Sequence, residues 1–108
     1  MIFIVVKWPV RADRSEQWPS LVDNFTKGTR SEPGNLFFEW CRSLDDPNEY
    51  VLVEAFEDDA AEAHVNSDHF KAFVDQAPDW VTDTPKIINV QGVPGDGWSR
   101  MSEVQPRS

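Results

Sequence analysis

The sequence predicts an α+β chain of ferredoxin-like order, β-α-β-β-α-β, with its helices on one face of a four-stranded antiparallel sheet. Three observations predict it. Four short runs are rich in β-branched and aromatic residues, as strands are: Ile2 to Val6, Asn35 to Ser43, Tyr50 to Phe56 and Lys86 to Val93. The middle two are joined by Asp45-Asp46-Pro47-Asn48, a strong turn signal, which makes them an antiparallel hairpin. On either side of that hairpin, apolar residues fall at helical spacing.

The first strand, Ile2 to Val6, ends near Trp8-Pro9 and is apolar on both faces, as a central strand would be. A helix is expected over Arg14 to Arg30, with Asp13 as its cap and Trp18, Leu21, Val22 and Phe25 as its apolar stripe. Glu32-Pro33-Gly34-Asn35 breaks it and makes a turn. In the second strand Leu36, Phe38, Trp40 and Arg42 share one face, and Asn35, Phe37, Glu39 and Cys41 the other. In the third, Tyr50, Leu52, Glu54 and Phe56 oppose Val51, Val53 and Ala55, so that Glu54 is a carboxylate on an otherwise hydrophobic face.

Asp58-Asp59-Ala60-Ala61-Glu62 supplies a helix start, with acids placed to suit the helix dipole. Asn66-Ser67-Asp68 offers a second cap, so a break is expected there and a new helix from His69 to Gln76. Phe70, Phe73, Val74 and Ala77 give that helix its stripe. Residues 1–93 read as one domain and 94–108 as a polar tail, flexible or packed on a partner subunit, with Trp98, Met101 and Val104 its apolar exceptions. Helices can cover only one face of such a sheet, yet the strands are apolar on both. A second copy of the chain would cover the other face, which predicts a homodimer.

Composition narrows the function classes. At 108 residues the chain suits a single domain, and its 40% hydrophobic content is that of a folded globular protein. Acidic residues outnumber Lys and Arg by 19 to 10, and no basic stripe exists, which argues against nucleic-acid binding. A single cysteine, Cys41, cannot form an internal disulfide and fits a reducing cytosol; lying in a strand, it reads as a buried, inert thiol. The apolar N-terminal run is too short for a signal peptide or a membrane span, so a soluble, cytoplasmic protein is expected.

The two histidines, His64 and His69, are five apart. On a continuous helix that separates them by roughly 140°. With no Cys nearby and no third ligand evident, this spacing does not indicate a metal site.

Several segments together resemble the antibiotic biosynthesis monooxygenase (ABM) family, particularly its small quinol-monooxygenase-like members. They are Pro33-Gly34-Asn35, Asp45-Asp46-Pro47, Glu54-Ala55-Phe56-Glu57 leading to Ala63-His64, and Ser67-Asp68-His69-Phe70-Lys71-Ala72-Phe73. The resemblance spans Met1 to about Val93. It implies a dimeric α+β barrel and oxygenation of a quinol-like or polycyclic aromatic phenol by O₂, without flavin, haem or metal. The candidate catalytic residues are then His64 as proton acceptor, Glu54 to orient it or to accept a substrate hydroxyl, and His69 as a further member of the family segment. Phe38, Trp40, Phe56 and Phe73 are the candidate substrate-binding residues.

Where haem-degrading relatives carry an Asn, a Trp and a ligating His, this chain has Lys7, His64 and Val74, which argues against haem degradation. The Asn-Trp pair of anthrone-oxidising relatives is absent from a strand that reads Leu52 and Phe56. Two alternatives stay open beside the enzyme. Glu54 could be tied up by a strand neighbour such as Arg42. The whole could also be a non-catalytic barrel that binds a small hydrophobic molecule.

Overall fold

In the computed structural model, which describes residues 1–107, four strands form a single antiparallel sheet in the order β2-β3-β1-β4. They are β1 (Ile2–Pro9), β2 (Asn35–Arg42), β3 (Glu49–Phe56) and β4 (Lys86–Val90). The order and direction are those of the ferredoxin-like unit. Ser108, the last residue of the expected tail, lies outside the described residues.

Register fixes which side chains meet. One row across the sheet runs Phe38, Glu54, Ile4, Asn89 and the next Trp40, Leu52, Val6, Ile87. Both rows face the helices, because directly paired residues point the same way. A bulge between Asn35 and Phe37 turns Asn35 to the helix side opposite Phe56, against the simple alternation expected for β2. The Asn35 amide closes the bulge by donating to the Phe37 and Ala55 carbonyls.

The expected helix Arg14 to Arg30 is instead three pieces: a 3₁₀ turn at Ser15–Gln17, α1 (Trp18–Leu21) and α2 (Asp23–Arg30), with Val22 at the bend. Pro19 accounts for the first joint, since it has no N–H to bond back to Ser15 and so starts a helix rather than continuing one; the second joint is the backbone of Val22, whose ψ of 3° leaves the helical range. Asp13 is not a cap; its carboxylate takes the Arg11 guanidinium at 2.9 Å. The apolar stripe survives the bends, with Trp18, Val22 and Phe25 buried.

The second helical region is α3 (Ala61–Val65) and α4 (Asp68–Gln76). No side chain caps α3, so Asp58 and Asp59 do not serve there; Ser67 caps α4 by accepting from the Phe70 N–H. Trp18, fully buried, centres the core, its ring 5.6 to 5.8 Å from those of Trp8, Trp40 and Tyr50. Phe25 of α2 stacks on Phe73 of α4 at 4.1 Å, joining the two helical regions over the sheet.

The other sheet face carries Phe3, Val5, Phe37, Val53, Ile88 and Val90, and no helix among the described residues covers it. β4 is short and exposed, with Ile88 63% accessible. Trp98 of the tail lies on Phe37 at 5.3 Å between ring centres, so the tail covers part of this face. Cys41 is exposed there rather than buried, because the alternation of β2 turns it away from the helices.

Candidate functional site

Between α4 and the β1–β4 side of the sheet lies a mainly apolar cleft of about 310 Å³. Its floor is Ile4, Val6 and Trp8 of β1, Leu52 and Glu54 of β3, and Ile87 and Asn89 of β4. Phe25, His64, Val65, Phe70, Phe73 and Val74 wall it from the helices. It exists because α1 and α2 cover the β2–β3 edge, leaving α4 alone to span the rest.

The same geometry sorts the expected pocket aromatics. Phe73 lines the cleft, whereas Phe38, Trp40 and Phe56 do not. β2 is the edge strand farthest from β4, so Phe38 and Trp40 sit under α2; Trp40 Nε1 donates to Thr26 Oγ1 of that helix at 2.9 Å. Phe56 packs behind His64, with ring centres 4.5 Å apart. Trp8, Phe25, Phe70 and Asn89 were not singled out by the sequence for this role. Strand alternation alone does not say which stretch of a sheet its helices leave bare.

His64 sits in α3 with only 6% of its surface exposed. Its Nδ1 lies 2.8 Å from Glu32 Oε2 and its Nε2 is turned to Glu54 Oε1, 4.0 Å away. His69, at the start of α4, places Nε2 on the same Glu32 oxygen at 2.5 Å. An ionised carboxylate only accepts, so both contacting nitrogens carry hydrogen. For neutral His64 this selects the Nδ1–H tautomer and leaves the Nε2 lone pair facing Glu54.

Glu32 is the residue the sequence did not disclose. It stands in the turn after α2, where acids are ordinary, and nothing in its neighbourhood marks it. Separation by roughly 140° holds for a continuous helix. The break at Asn66-Ser67 cancels it here, because α3 and α4 are separate helices and both rings reach one carboxylate. Ser67 holds that break, its hydroxyl donating to the His64 carbonyl at 2.6 Å. Both histidines of the chain therefore converge on Glu32.

Glu54 is 5% exposed, in the row between Phe38 and Ile4. Burial first, and the negative charge of Glu32 second, push its carboxyl up to about 8. It is therefore a neutral acid at pH 7, able to donate. The pairing with Arg42 does not occur. Arg42 is opposite Tyr50, two rows away, and binds Glu16 at 2.6 Å while stacking over the Tyr50 ring.

A wider hollow of about 460 Å³ shares Trp8, Val74 and Pro85 with the cleft. Among the described residues that line it there is no histidine, and Asp83 is the one acid.

The fold and site define a small α+β protein of ferredoxin-like topology, with a histidine and a raised-pKa carboxyl at the edge of an apolar cleft. The family is fixed by sequence: residues 1–76 match the antibiotic biosynthesis monooxygenase family, and the chain belongs to it. A Nitrosomonas europaea structure, provisionally assigned as an antibiotic biosynthesis monooxygenase, is 29% identical, with a TM-score of 0.77 over 86% of this chain and 99% of that one. Rv0793 of Mycobacterium tuberculosis, 21% identical, has the same fold, with a TM-score of 0.77 over 89% of this chain and 98% of its own. The uncharacterized Synechocystis protein sll1783 is 27% identical over 79 residues. Those residues are 72% of this chain and 54% of that protein, so the match spans about half the length of the relative. Among the described residues, no helix is long and apolar enough to cross a membrane.

Proposed function

We propose that the protein is a cofactor-independent monooxygenase acting on a quinol-like or polycyclic aromatic phenol with O₂. One observation carries the reading: His64 is tethered at Nδ1 by Glu32 and presents Nε2, beside the neutral acid Glu54, to an otherwise apolar cleft. The family and its monooxygenase neighbours support it at the level of reaction type.

The chemistry starts with proton transfer. His64 Nε2 takes the phenolic proton, and the imidazolium formed is stabilised by the Glu32 carboxylate. The electron-rich anion reduces O₂ by one electron, and the radical pair closes a carbon–oxygen bond to give a peroxide anion. Glu54 protonates that peroxide and is recharged from the His64 imidazolium. Loss of the hydrogen on the oxygenated carbon then breaks the O–O bond, leaving a carbonyl on the ring and releasing water. Both oxygen atoms and all four electrons taken up by O₂ are accounted for. The apolar walls keep bulk water from the intermediates, and the Glu54 O–H offers a hydrogen bond to developing oxyanion charge.

The reading includes a homodimer, in which a second sheet covers Val5, Val53 and Ile88 to make an α+β barrel. His69 is a positioning residue in this scheme, since it touches Glu32 and does not line the cleft.

The test is oxygen uptake by EDTA-treated protein with a panel of hydroquinones, naphthoquinols and anthrones. Uptake above autoxidation, with one oxygen atom in the product by mass spectrometry, supports the reading. Ligands that raise the melting temperature without any uptake would overturn it in favour of a non-catalytic binding barrel.

A further inference from the structure

We propose that Glu32, His64 and His69 form a binding site for a divalent transition-metal ion of the zinc type. The donor set is two imidazole nitrogens and one carboxylate oxygen, a combination that suits such ions and leaves coordination positions open. Those three atoms all lie within 4.8 Å of one another, and the side chains holding them are 8%, 19% and 13% exposed for His64, His69 and Glu32.

The adjustment needed is small. A tetrahedral ion with bonds near 2.1 Å sets its donor atoms about 3.4 Å apart. The two His–Glu contacts, at 2.8 and 2.5 Å, would each open by less than about 1 Å. Glu32 stands in a turn, outside any helix, and its side chain can supply that motion.

Gly28 shows that the place of His69 is built into the fold. A methyl group at Gly28 would lie 2.5 Å from His69 Cγ, so the imidazole rests directly on the backbone of α2. Glycine inside a helix costs about 1 kcal/mol relative to alanine, and here it admits the ring. A small cleft of about 140 Å³, lined by Asn24 and Gln76 among others, opens onto His69 alone of the three donors.

Occupation has a consequence for the oxygenation chemistry, and this part rests on the base role proposed for His64. A metal on Nδ1 of a neutral imidazole forces the proton onto Nε2, the atom that must take the substrate proton. The loaded protein is therefore switched off.

The experiment uses the full chain stripped with EDTA and titrated with Zn²⁺ against a chromophoric chelator, in the absence of substrate. One ion per chain is expected, with affinity reduced at least about tenfold in His69→Ala and in Glu32→Gln, variants whose folding is checked by circular dichroism. Gly28→Ala keeps all three donors and is expected to weaken binding by displacing the ring. Zinc uptake unchanged in both His69→Ala and Glu32→Gln would overturn the site, as would a chain that takes up no zinc. The switching claim is read separately, from oxygen uptake before and after loading: inhibition reversed by EDTA supports it, and undiminished uptake by loaded protein overturns it. A metal-free protein without turnover would count against the monooxygenase reading, and the substrate-free titration would stand apart from that result.

Discussion

Glu54 Oε1 stands 4.0 Å from His64 Nε2 at the wall of the apolar cleft, an acid held neutral beside a nitrogen whose proton is held on its far side. The pair presents an acceptor and a donor to the same space at the same pH.

Removing the acceptor is expected to lower kcat by about 10²- to 10⁴-fold in His64→Ala, the usual range for a positioned general base. Glu32→Gln keeps the volume but loses the anionic partner of the imidazolium. It should lower kcat while leaving KM nearly unchanged, because Glu32 does not line the cleft. Steady-state oxygen uptake separates the two parameters, and a Glu32→Gln enzyme with normal kcat would remove Glu32 from the mechanism.

Glu54 makes stability depend on pH. Its folded-state value of about 8 lies above the ordinary 4.5, so its contribution is fully present below about pH 4.5 and is lost as pH rises towards 8. The slope in that window is at most about 1.4 kcal/mol per pH unit. The charged or titratable groups facing it are Glu32 and His64; its sheet neighbours Phe38, Ile4 and Asn89 carry no charge. Glu54→Gln, neutral at every pH, is expected to melt higher than the wild type at pH 7.5 and no higher at pH 4. Thermal unfolding of EDTA-treated protein at both pH values measures this, and parallel curves for the two proteins would refute it.

Gly28→Ala normally favours a helix, by about 1 kcal/mol. Here the added methyl meets His69 Cγ at 2.5 Å, so the expected net effect is a loss of about 1–3 kcal/mol from overpacking. Urea unfolding gives the sign directly. A second change, His69→Ala, should restore most of the loss by removing the ring.

The bare sheet face predicts the assembly. Ile88 is paired to Val5 at its centre and is 63% exposed. Ile88→Asp places a charge in the interface proposed for the dimer and leaves the helix-covered core untouched. Sedimentation velocity should show a dimer for the wild type and a monomer for the variant. A monomeric wild type would remove the barrel from the reading.

The strands and their order were readable because Ile2 to Val6, the Asp45–Asn48 turn and the β3 alternation each carry a local signal that agrees with the rest. The helix boundaries were less so: Pro19 and the bend at Val22 split what the apolar stripe alone makes continuous. His64 and Glu54 stood out as polar groups in apolar surroundings. Glu32 did not, since its role arises from residues 32 and 37 positions later in the chain. The cleft lining was also hidden, because Phe38, Trp40 and Phe56 alternate just as Ile4, Val6 and Trp8 do. Only the tertiary placement of α2 over one edge of the sheet tells the two sets apart.

The Glu32 carboxylate belongs to the first β-α-β half of the chain and both histidines to the second. The cluster is thus a clasp that closes only when the halves have docked, and neither half alone holds more than a fragment of it. With the role proposed for the cluster, activity would be a late and stringent reporter of folding: a chain whose sheet has formed but whose helices have not settled would show secondary structure without the assembled site. A protein cut in the Asp45–Asn48 hairpin would regain its chemistry only where the two fragments reassociate.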